Sequence, residues 1–568
     1  MAESTSSTGT SSVASDTAGK SSGQRTLVIT AMVFVTGMTF IDQTIVSIGA
    51  PVIEKDLGIS DEAVQWIING YLLGLAATFA LMGRMADVYG HRRMVIIGTV
   101  VFAFSSLMCG LTPSGDWAGV WLIGWRFIEG VGAAMLFPAA LAIVVAAFTI
   151  ATRGRALALF FAITGGLTAI GPLLGGYLVE WDWRSIFWVN IPIAVIALIL
   201  TGLCHVETQR QDEPIDWGGA VFTIVGMGLS VLGFQQAGTW GWESPATWGC
   251  ILGGFAVLAL FVRYETKQEY PLIKVHIFTD RAFQADNAVL FFLSMAFVPV
   301  FFFLSVYAQA ALGYSAQESG LFLMWFFLGF VIAAQVGGAL LDSRGSKPPM
   351  LLGGLIGAVG YFGWAINADS LSAGAVSPWI VVAGAGAGLM LGPASTDAVN
   401  RAINATYGEV TGITQTVRNY AAALGLAILG SIMSNQIADR IAASAEKFGL
   451  DESASEALVG SLSGQTSGGA AGAIANVPEK TQEAFLSEVP GDIASAMTWV
   501  IYGMAAVMLL AALSALRHPG GRVVAADAGS EAKETAASSG SATKRLLKFL
   551  GIFIGVAAVI YVVIWLVT

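Results

Sequence analysis

The chain reads as blocks of about twenty apolar residues separated by short polar connectors, the pattern of helices that cross a bilayer. Spans are expected near 26–50, 63–82, 93–112, 118–147, 154–178, 185–204, 217–236, 246–263, 285–310, 317–341, 349–366, 377–396, 410–436 and 496–516, fourteen in all. A further apolar block follows the basic run at Lys544, Arg545 and Lys548, and residues 547–568 are expected to form one additional transmembrane helix. Residues 1–24 are rich in Ser, Thr, Gly and Ala without an apolar core, so they read as a disordered cytoplasmic tail. The connector at 437–495 is long, acidic and rich in small residues, with a segment near 480–495 that suits a surface amphipathic helix.

Basic residues test the count and fix an orientation. Of the 28 Lys and Arg, Arg126 and Arg418 lie inside spans. Five fall on one side (Lys55, Arg184, Arg440, Lys447 and Lys480), leaving 21 on the side of the N-terminus. A miscounted span would swap every later connector and erase this bias. Fourteen spans with a cytoplasmic N-terminus are therefore expected, in an all-α polytopic membrane protein.

Composition excludes more than it identifies. Only 12% of residues are charged and mean hydropathy is +0.71, where a soluble chain would carry roughly twice that charge. The three cysteines lie in or beside apolar blocks, so no disulfide framework is expected. His91, His205, His276 and His518 sit in connectors or at span ends and read as solvated, with no metal-ligand spacing. No nucleophile–base set, phosphate loop or GxxxxGK[ST] sequence appears, which argues against an enzyme and against ATP drive. No cofactor, metal or nucleic-acid partner is expected.

One segment repeats. GRMADVYGHRR (83–93) aligns with GALLDSRGSKP (338–348) at an offset of 255, pairing Gly83, Asp87, Gly90 and Arg92 with Gly338, Asp342, Gly345 and Lys347. The same offset carries Ser60 onto Ser315. Parallel repeats of this kind mark transporters, with the substrate path between the halves. The glycines suit a tight turn close to a neighbouring helix, and the Asp is placed to pair with a basic residue or cap a helix.

These stretches carry a family resemblance. GRMADVYGHRR resembles the loop motif of the major facilitator superfamily, with Val88 and His91 where arginine is usual. WRFIEGVGAA (125–134) resembles its fourth-helix motif through Arg126, Gly130 and Gly132, with Glu129 in place of glutamine. IGPLLGGYL (170–178) is similar to the fifth-helix antiporter motif through Gly171, Pro172, Gly175 and Gly176, with Leu167 at that motif's upstream glycine. FIDQTIVSIGAPVI (40–53) and WRSIFWVNIPIA (183–194) resemble motifs of the fourteen-span drug:proton antiporter subfamily.

The resemblance implies two six-helix bundles, at 25–205 and 281–516, with two inserted spans and a linker at 206–280 and a cytoplasmic linker at 517–546. It implies export of amphipathic, often cationic, compounds from the cytoplasm, driven by the proton gradient. The setting would be a bacterial plasma membrane, and the protein a monomer among membrane lipids. The expected alternatives are a dedicated exporter of one metabolite or lipid-like compound, and a membrane sensor on the same fold.

Charges inside spans are costly and therefore informative. Between Gly119 and Phe148 the only charged side chains are Arg126 and Glu129. Asp42 and Arg126 each lie about eight residues, roughly 12 Å, from the same end of antiparallel spans, and Glu129 about 16 Å. The resemblance makes these spans neighbours. Burial disfavours a charged carboxyl and a nearby arginine favours it, which suits a group that takes up and releases protons. Asp42 is the leading proton acceptor, Glu129 the second acceptor and a cation-attracting group, and Arg126 the counter-charge. The alternative is an ion pair that only joins helices.

Arg418 needs a carboxylate, carbonyl or water as partner, and both a structural and a functional role stay open. Asp216 and Asp286 read as solvated at the membrane interface. Gly171-Pro172 is expected to weaken span 5, while Gly175 and Gly176 admit a close neighbour. Trp66, Tyr71, Trp125, Phe292, Phe302 and Trp325 are candidates for the wall of a drug cavity, with lipid-facing or core packing the favoured reading for any one of them.

Overall fold

A computed structural model of the chain describes residues 22–148, 150–204, 214–273, 277–278, 280–401, 407–448 and 479–521, and every regular element among them is helical. The linker beyond residue 521 and the helix expected at 547–568 lie outside the described residues, as do His205 and His276. The long helices are α1 Ser22–Leu57, α2 Asp61–Tyr89, α3 His91–Gly110, α4 Ala118–Ala147, α5 Ile150–Trp181, α6 Ser185–Leu203 and α7 Trp217–Gln235. Then come α8 Pro245–Glu265, α9 Arg281–Ala311, α10 Ala316–Arg344, α11 Lys347–Asn367, α12 Ala373–Arg401, α13 Tyr407–Lys447 and α14 Glu479–Leu516. Among the described residues, 13 helices are long and apolar enough to cross a membrane. Helix α5, 32 residues long, holds the remaining span read from the sequence and completes the fourteen.

Local chemistry sets the helix ends. Ser60 caps α2 by accepting the Ala63 N–H at 3.1 Å, and its repeat partner Ser315 caps α10 in a reciprocal box with Glu318. Gly90 and Gly345 end α2 and α10 with φ of +100° and +83°. Each donates its N–H back into the last turn, to Ala86 O at 3.0 Å and Leu341 O at 2.9 Å. A side chain at either position would be strained, which explains the repeated glycine. Helix α9 is broken at Val298-Pro299, and its final turn widens so that the Leu312 N–H reaches Tyr307 O at 3.1 Å.

The repeat extends to packing. Where α2 crosses α4, a methyl group on Gly74 would strike the Phe127 carbonyl; where α10 crosses α12, one on Gly329 would strike that of Val381. Residues 74 and 329 are again 255 apart. Helices α1–α6 pack together, as do α9–α14, and the two sets meet along α2–α13 and α5–α10. Helix α7 lies against both α2 and α13, and α8 packs on α7.

Three contacts bring the sets together at the end that carries the α1–α2 turn. Gln309 Nε2 donates to Ile48 O at 3.1 Å. A Cβ on Gly176 would lie 2.9 Å from Ala316 O, and Gly430 of α13 lies against the Gln65 amide of α2.

The connector at 437–495 is shorter than its hydropathy implies. Helix α13 continues to Lys447 and α14 begins at Glu479, so the segment near 480–495 is part of α14. The two extensions are tied by Ser444 Oγ to Asp492 Oδ2 at 2.6 Å, by the Phe448 and Phe485 rings with centroids 6.1 Å apart, and by a Lys447–Glu488 ion pair.

Candidate functional site

The three charges singled out in α1 and α4 meet in one buried cluster. Arg126 Nη1 lies 2.6 Å from Asp42 Oδ2 and 2.7 Å from Glu129 Oε2, and no more than 1% of any of the three side chains is exposed. Glu129 lies one helical turn from Arg126, so α4 alone fixes that contact. The contact with Asp42 requires α1 to cross α4 at this depth.

Residues from every other helix of α1–α6 except α5 complete the cluster. From α2, Ile67 O accepts from Arg126 Nε at 3.2 Å, and the Tyr71 ring faces the guanidinium with its centroid 4.4 Å from Cζ. The Tyr71 hydroxyl donates to Thr39 O at 3.2 Å. From α6, Asn190 Nδ2 donates to Asp42 Oδ1 at 3.2 Å and to Ser106 Oγ of α3 at 3.0 Å. Cys109 Sγ lies 3.8 Å from Glu129 Oε2, while Glu129 Oε1 has no hydrogen-bond partner among the described residues. Two carboxylates thus share one guanidinium away from solvent.

Of these, Asn190 and Ser106 are absent from the sequence-level set, and Tyr71 is present there only as a packing or cavity-wall aromatic. A lone amide in the apolar run of WRSIFWVNIPIA is the signal for Asn190. Nothing in the sequence marks the Ile67 carbonyl.

The antiporter-like glycines form a crossing point. A Cβ on Gly171 would collide with Thr44 Oγ1, and one on Gly175 would lie 2.9 Å from Ile45 Cγ1, so both press α5 onto α1. Gly176 faces the start of α10 instead, and Gly320 of α10 approaches the carbonyl of Pro172. One short motif therefore touches both sets of helices.

The loop motif's first copy grips its own set. Asp87 Oδ1 lies 3.1 Å from His91 Nε2, and Arg92 reaches the end of α6 through Thr201 O at 3.3 Å and Gly202 O at 2.8 Å. Gly83 lies at ordinary contact distance from Pro138. In the second copy Asp342 is exposed.

Three sequence readings are corrected. His91 and His518 are buried, at 6% and 1% exposure, and Asp286 is fully buried rather than solvated. His518 Nε2 lies 2.9 Å from Asp397 Oδ2 and 3.7 Å from Asp286 Oδ1, and Ser346 Oγ donates to Asp397 Oδ2 at 2.9 Å. Hydropathy places these residues at span ends, but neighbouring helix ends cover them. Ligand-type atoms of Asp286, Asp397 and His518 lie within 4.8 Å of one another, a grouping that chain separations of more than a hundred residues hide from any spacing rule. His518 Nδ1 accepts the Gly520 N–H at 3.0 Å, so a metal on Nε2 would have to displace that bond by moving a proton to Nδ1. The cluster fits a hydrogen-bonded clamp between α9, α12 and the segment after α14.

Arg418 finds no carboxylate among the described residues. Its Nη1 donates to Gln415 Oε1 at 2.6 Å. Of the aromatics singled out in the sequence, Tyr71 and Phe302 are buried, and Phe292 borders an open depression of about 310 Å³ with Asn287, Phe291 and Val417.

Comparison with known proteins adds to this geometry. The family profile of the Major Facilitator Superfamily matches residues 32–426. The chain is 31% identical over 408 residues, 71% of its own length and 74% of the relative's, to the tetracenomycin C resistance and export protein of Streptomyces glaucescens. It is 31% identical over 401 residues (70% and 74%) to the multidrug resistance protein Stp of Mycobacterium tuberculosis. It is 30% identical over 419 residues (72% and 85%) to the cephamycin export protein CmcT of Amycolatopsis lactamdurans. Among solved structures, a bacterial homologue of the human lysosomal transporter Spinster matches with a TM-score of 0.58 at 15% identity, covering 88% of this chain and 98% of that one. A D-xylose–proton symporter matches with a TM-score of 0.51 at 15% identity, over 71% and 90%. At such identities the structural matches speak for the fold alone.

Proposed function

The chain belongs to the Major Facilitator Superfamily, and we propose that it is a proton-coupled exporter of amphipathic small molecules, working by alternating access in the cell membrane. The relatives named for resistance and export support the direction and the substrate class. The observation that carries the mechanism is the buried Asp42–Arg126–Glu129 cluster.

Charge counting gives the cluster its chemistry. One guanidinium balances one carboxylate, and a second charge in low dielectric is balanced most cheaply by a proton. Asp42 is the proton acceptor in this reading, Glu129 the second carboxylate and Arg126 the fixed counter-charge. Asn190 and Tyr71 hold Asp42 and Arg126 in place. A proton arriving at Asp42 loosens its bond to Arg126, and its departure restores that bond. That exchange couples proton flow to the approach of α1 and α4.

The 21 basic residues on the N-terminal side assign the α2–α3 end to the cytoplasm. The contacts at the α1–α2 end then close the outer side. Energy comes from the proton gradient, with no cofactor in the cycle.

The test uses everted membrane vesicles and ethidium. Wild-type protein is expected to accumulate ethidium when the gradient is imposed and to stop when a protonophore collapses it. Asp42→Asn is expected to reduce gradient-driven uptake to the background of empty vesicles. Uptake at the wild-type rate in that variant would remove Asp42 from the coupling step. A substrate panel in an export-deficient host separates a broad exporter from a dedicated one.

A further inference from the structure

Arg418 is a half-buried cation inside α13, with nothing of opposite sign against it among the described residues. Arg126 engages two carboxylates, whereas Arg418 forms no ion pair among the described residues. Its one hydrogen bond runs from Nη1 to the neutral amide of Gln415, at 2.6 Å. Asn419 Nδ2 donates to Gln415 O at 2.8 Å, so a second amide follows on the same stretch of α13. Among the described residues the enclosed Arg418 Nε has no hydrogen-bond partner, and Nη2 forms no hydrogen bond.

The pattern of occupied and open nitrogens is specific. Nε–H and one N–H of Nη2 point the same way from a guanidinium, and together they form the edge that matches the two oxygens of a carboxylate. Gln415 occupies the other terminal nitrogen and holds the plane of the fork. The edge suited to a two-oxygen anion is therefore held in place, and no described residue takes it.

Position points to the transport path. Helix α13 packs against α2 of the other helix set, so it borders the seam between the two. Arg418 lies 12 residues from Gly430, which meets Gln65 at the closed end; that is about 18 Å along the helix, towards the cytoplasmic side. The adjacent residue, Val417, borders an open, apolar depression of about 310 Å³ beside α9, whose lining does not include Arg418 itself. Charges at this depth face the bundle interior or a wet cavity rather than lipid.

We propose that the Nε–Nη2 edge of Arg418 is a substrate subsite that binds the carboxylate of an acidic amphipathic compound. The inference rests on the exporter reading and adds a chemical class to it. An uncharged or cationic compound leaves the edge unfilled; a carboxylate fills it bidentately.

The test uses the full chain in nanodiscs of pure phosphatidylcholine, with pyrenebutyrate and its methyl ester as probes, read by tryptophan-to-pyrene energy transfer. Wild-type protein is expected to prefer the acid by about tenfold or more, the range for a charged hydrogen-bonded contact. Arg418→Gln is expected to lose that preference while its ester affinity stays close to wild type. Arg418→Lys keeps the charge without the fork and is expected to retain only part of the preference, which guards against a fold defect in the glutamine variant. No preference in wild-type protein, or an equal loss for acid and ester, overturns the proposal. A parallel sample doped with phosphatidylglycerol tests the other source of a two-oxygen anion. Arg418-dependent retention of that lipid, with no acid preference, would assign the edge to a lipid phosphate instead. Binding needs no gradient, so the exporter reading can fail by ethidium uptake while this subsite stands, and the reverse.

Discussion

At the residue scale, Arg126 contributes more than attraction, because removing it leaves two carboxylates buried together. Arg126→Gln is expected to destabilise the protein by about 3–5 kcal/mol, as breaking a buried pair does. Adding Asp42→Asn removes one of the stranded charges, so the double variant should recover part of that loss. The coupling energy expected for groups in contact is about 0.5–3 kcal/mol, and thermal melts of detergent-purified single and double variants measure it. Strictly additive losses would mean that Asp42 and Arg126 do not share the cluster. This core was legible in the sequence because a charge in an apolar run has few bland explanations. Ser106 was not, since single hydroxyls are common in long helices, and Asn190 left only the weak signal of one amide in an apolar run. The Asp286–Asp397–His518 grouping was hidden for another reason: its members sit at span ends, where a solvated reading is the ordinary one.

At the element scale, close helix crossings depend on where glycine faces a backbone. Gly175 presses on Ile45, whose Cγ1 and carbonyl oxygen would lie 2.9 and 3.1 Å from an added Cβ. Gly175→Leu must therefore part α5 from α1, at a cost of about 1–3 kcal/mol or more. Gly249 in α8 has nothing within 4 Å, and Gly249→Ala is expected to be neutral or slightly stabilising through helix propensity, by up to about 1 kcal/mol. Melting temperatures of the two variants should move in opposite directions, or only the first should fall. Equal tolerance at both sites would remove the close crossing of α5 and α1. Helix number was readable from hydropathy because apolar length is a strong signal. The continuation of α13 to Lys447 was not, and the helix near 480–495 was legible only as a separate surface helix. The reason is that Ser444, Lys447, Glu488 and Asp492 lower the hydropathy of segments held together by Phe448 and Phe485.

At the scale of the whole molecule, the repeat at an offset of 255 was visible in one loop and one cap, and the glycine crossings continue it through the packed helices. What the repeat cannot show is how the two sets of helices meet. Helix α7 bridges them with polar contacts: Asn69 Nδ2 to Gln235 Oε1 at 2.6 Å and Gln235 Nε2 to Gln65 Oε1 at 2.8 Å on the α2 side, and Ser230 with Tyr420 at 2.7 Å on the α13 side. The inserted pair therefore belongs to the seam and is not a bare linker. At the end assigned to the outside, Gln309 reaches Ile48 O, and alternating access requires this contact to break once per cycle. Cysteines at positions 48 and 309, in a background where the half-buried Cys250 is serine while Cys109 and Cys204 stay buried, should be joined by a short reducible cross-linker. Export is expected to stop on cross-linking and to return on reduction, because the outer end can no longer part. Export that continues at the uncross-linked rate would mean that the halves open elsewhere, and the contact at Ile48 would then be a permanent joint rather than a gate.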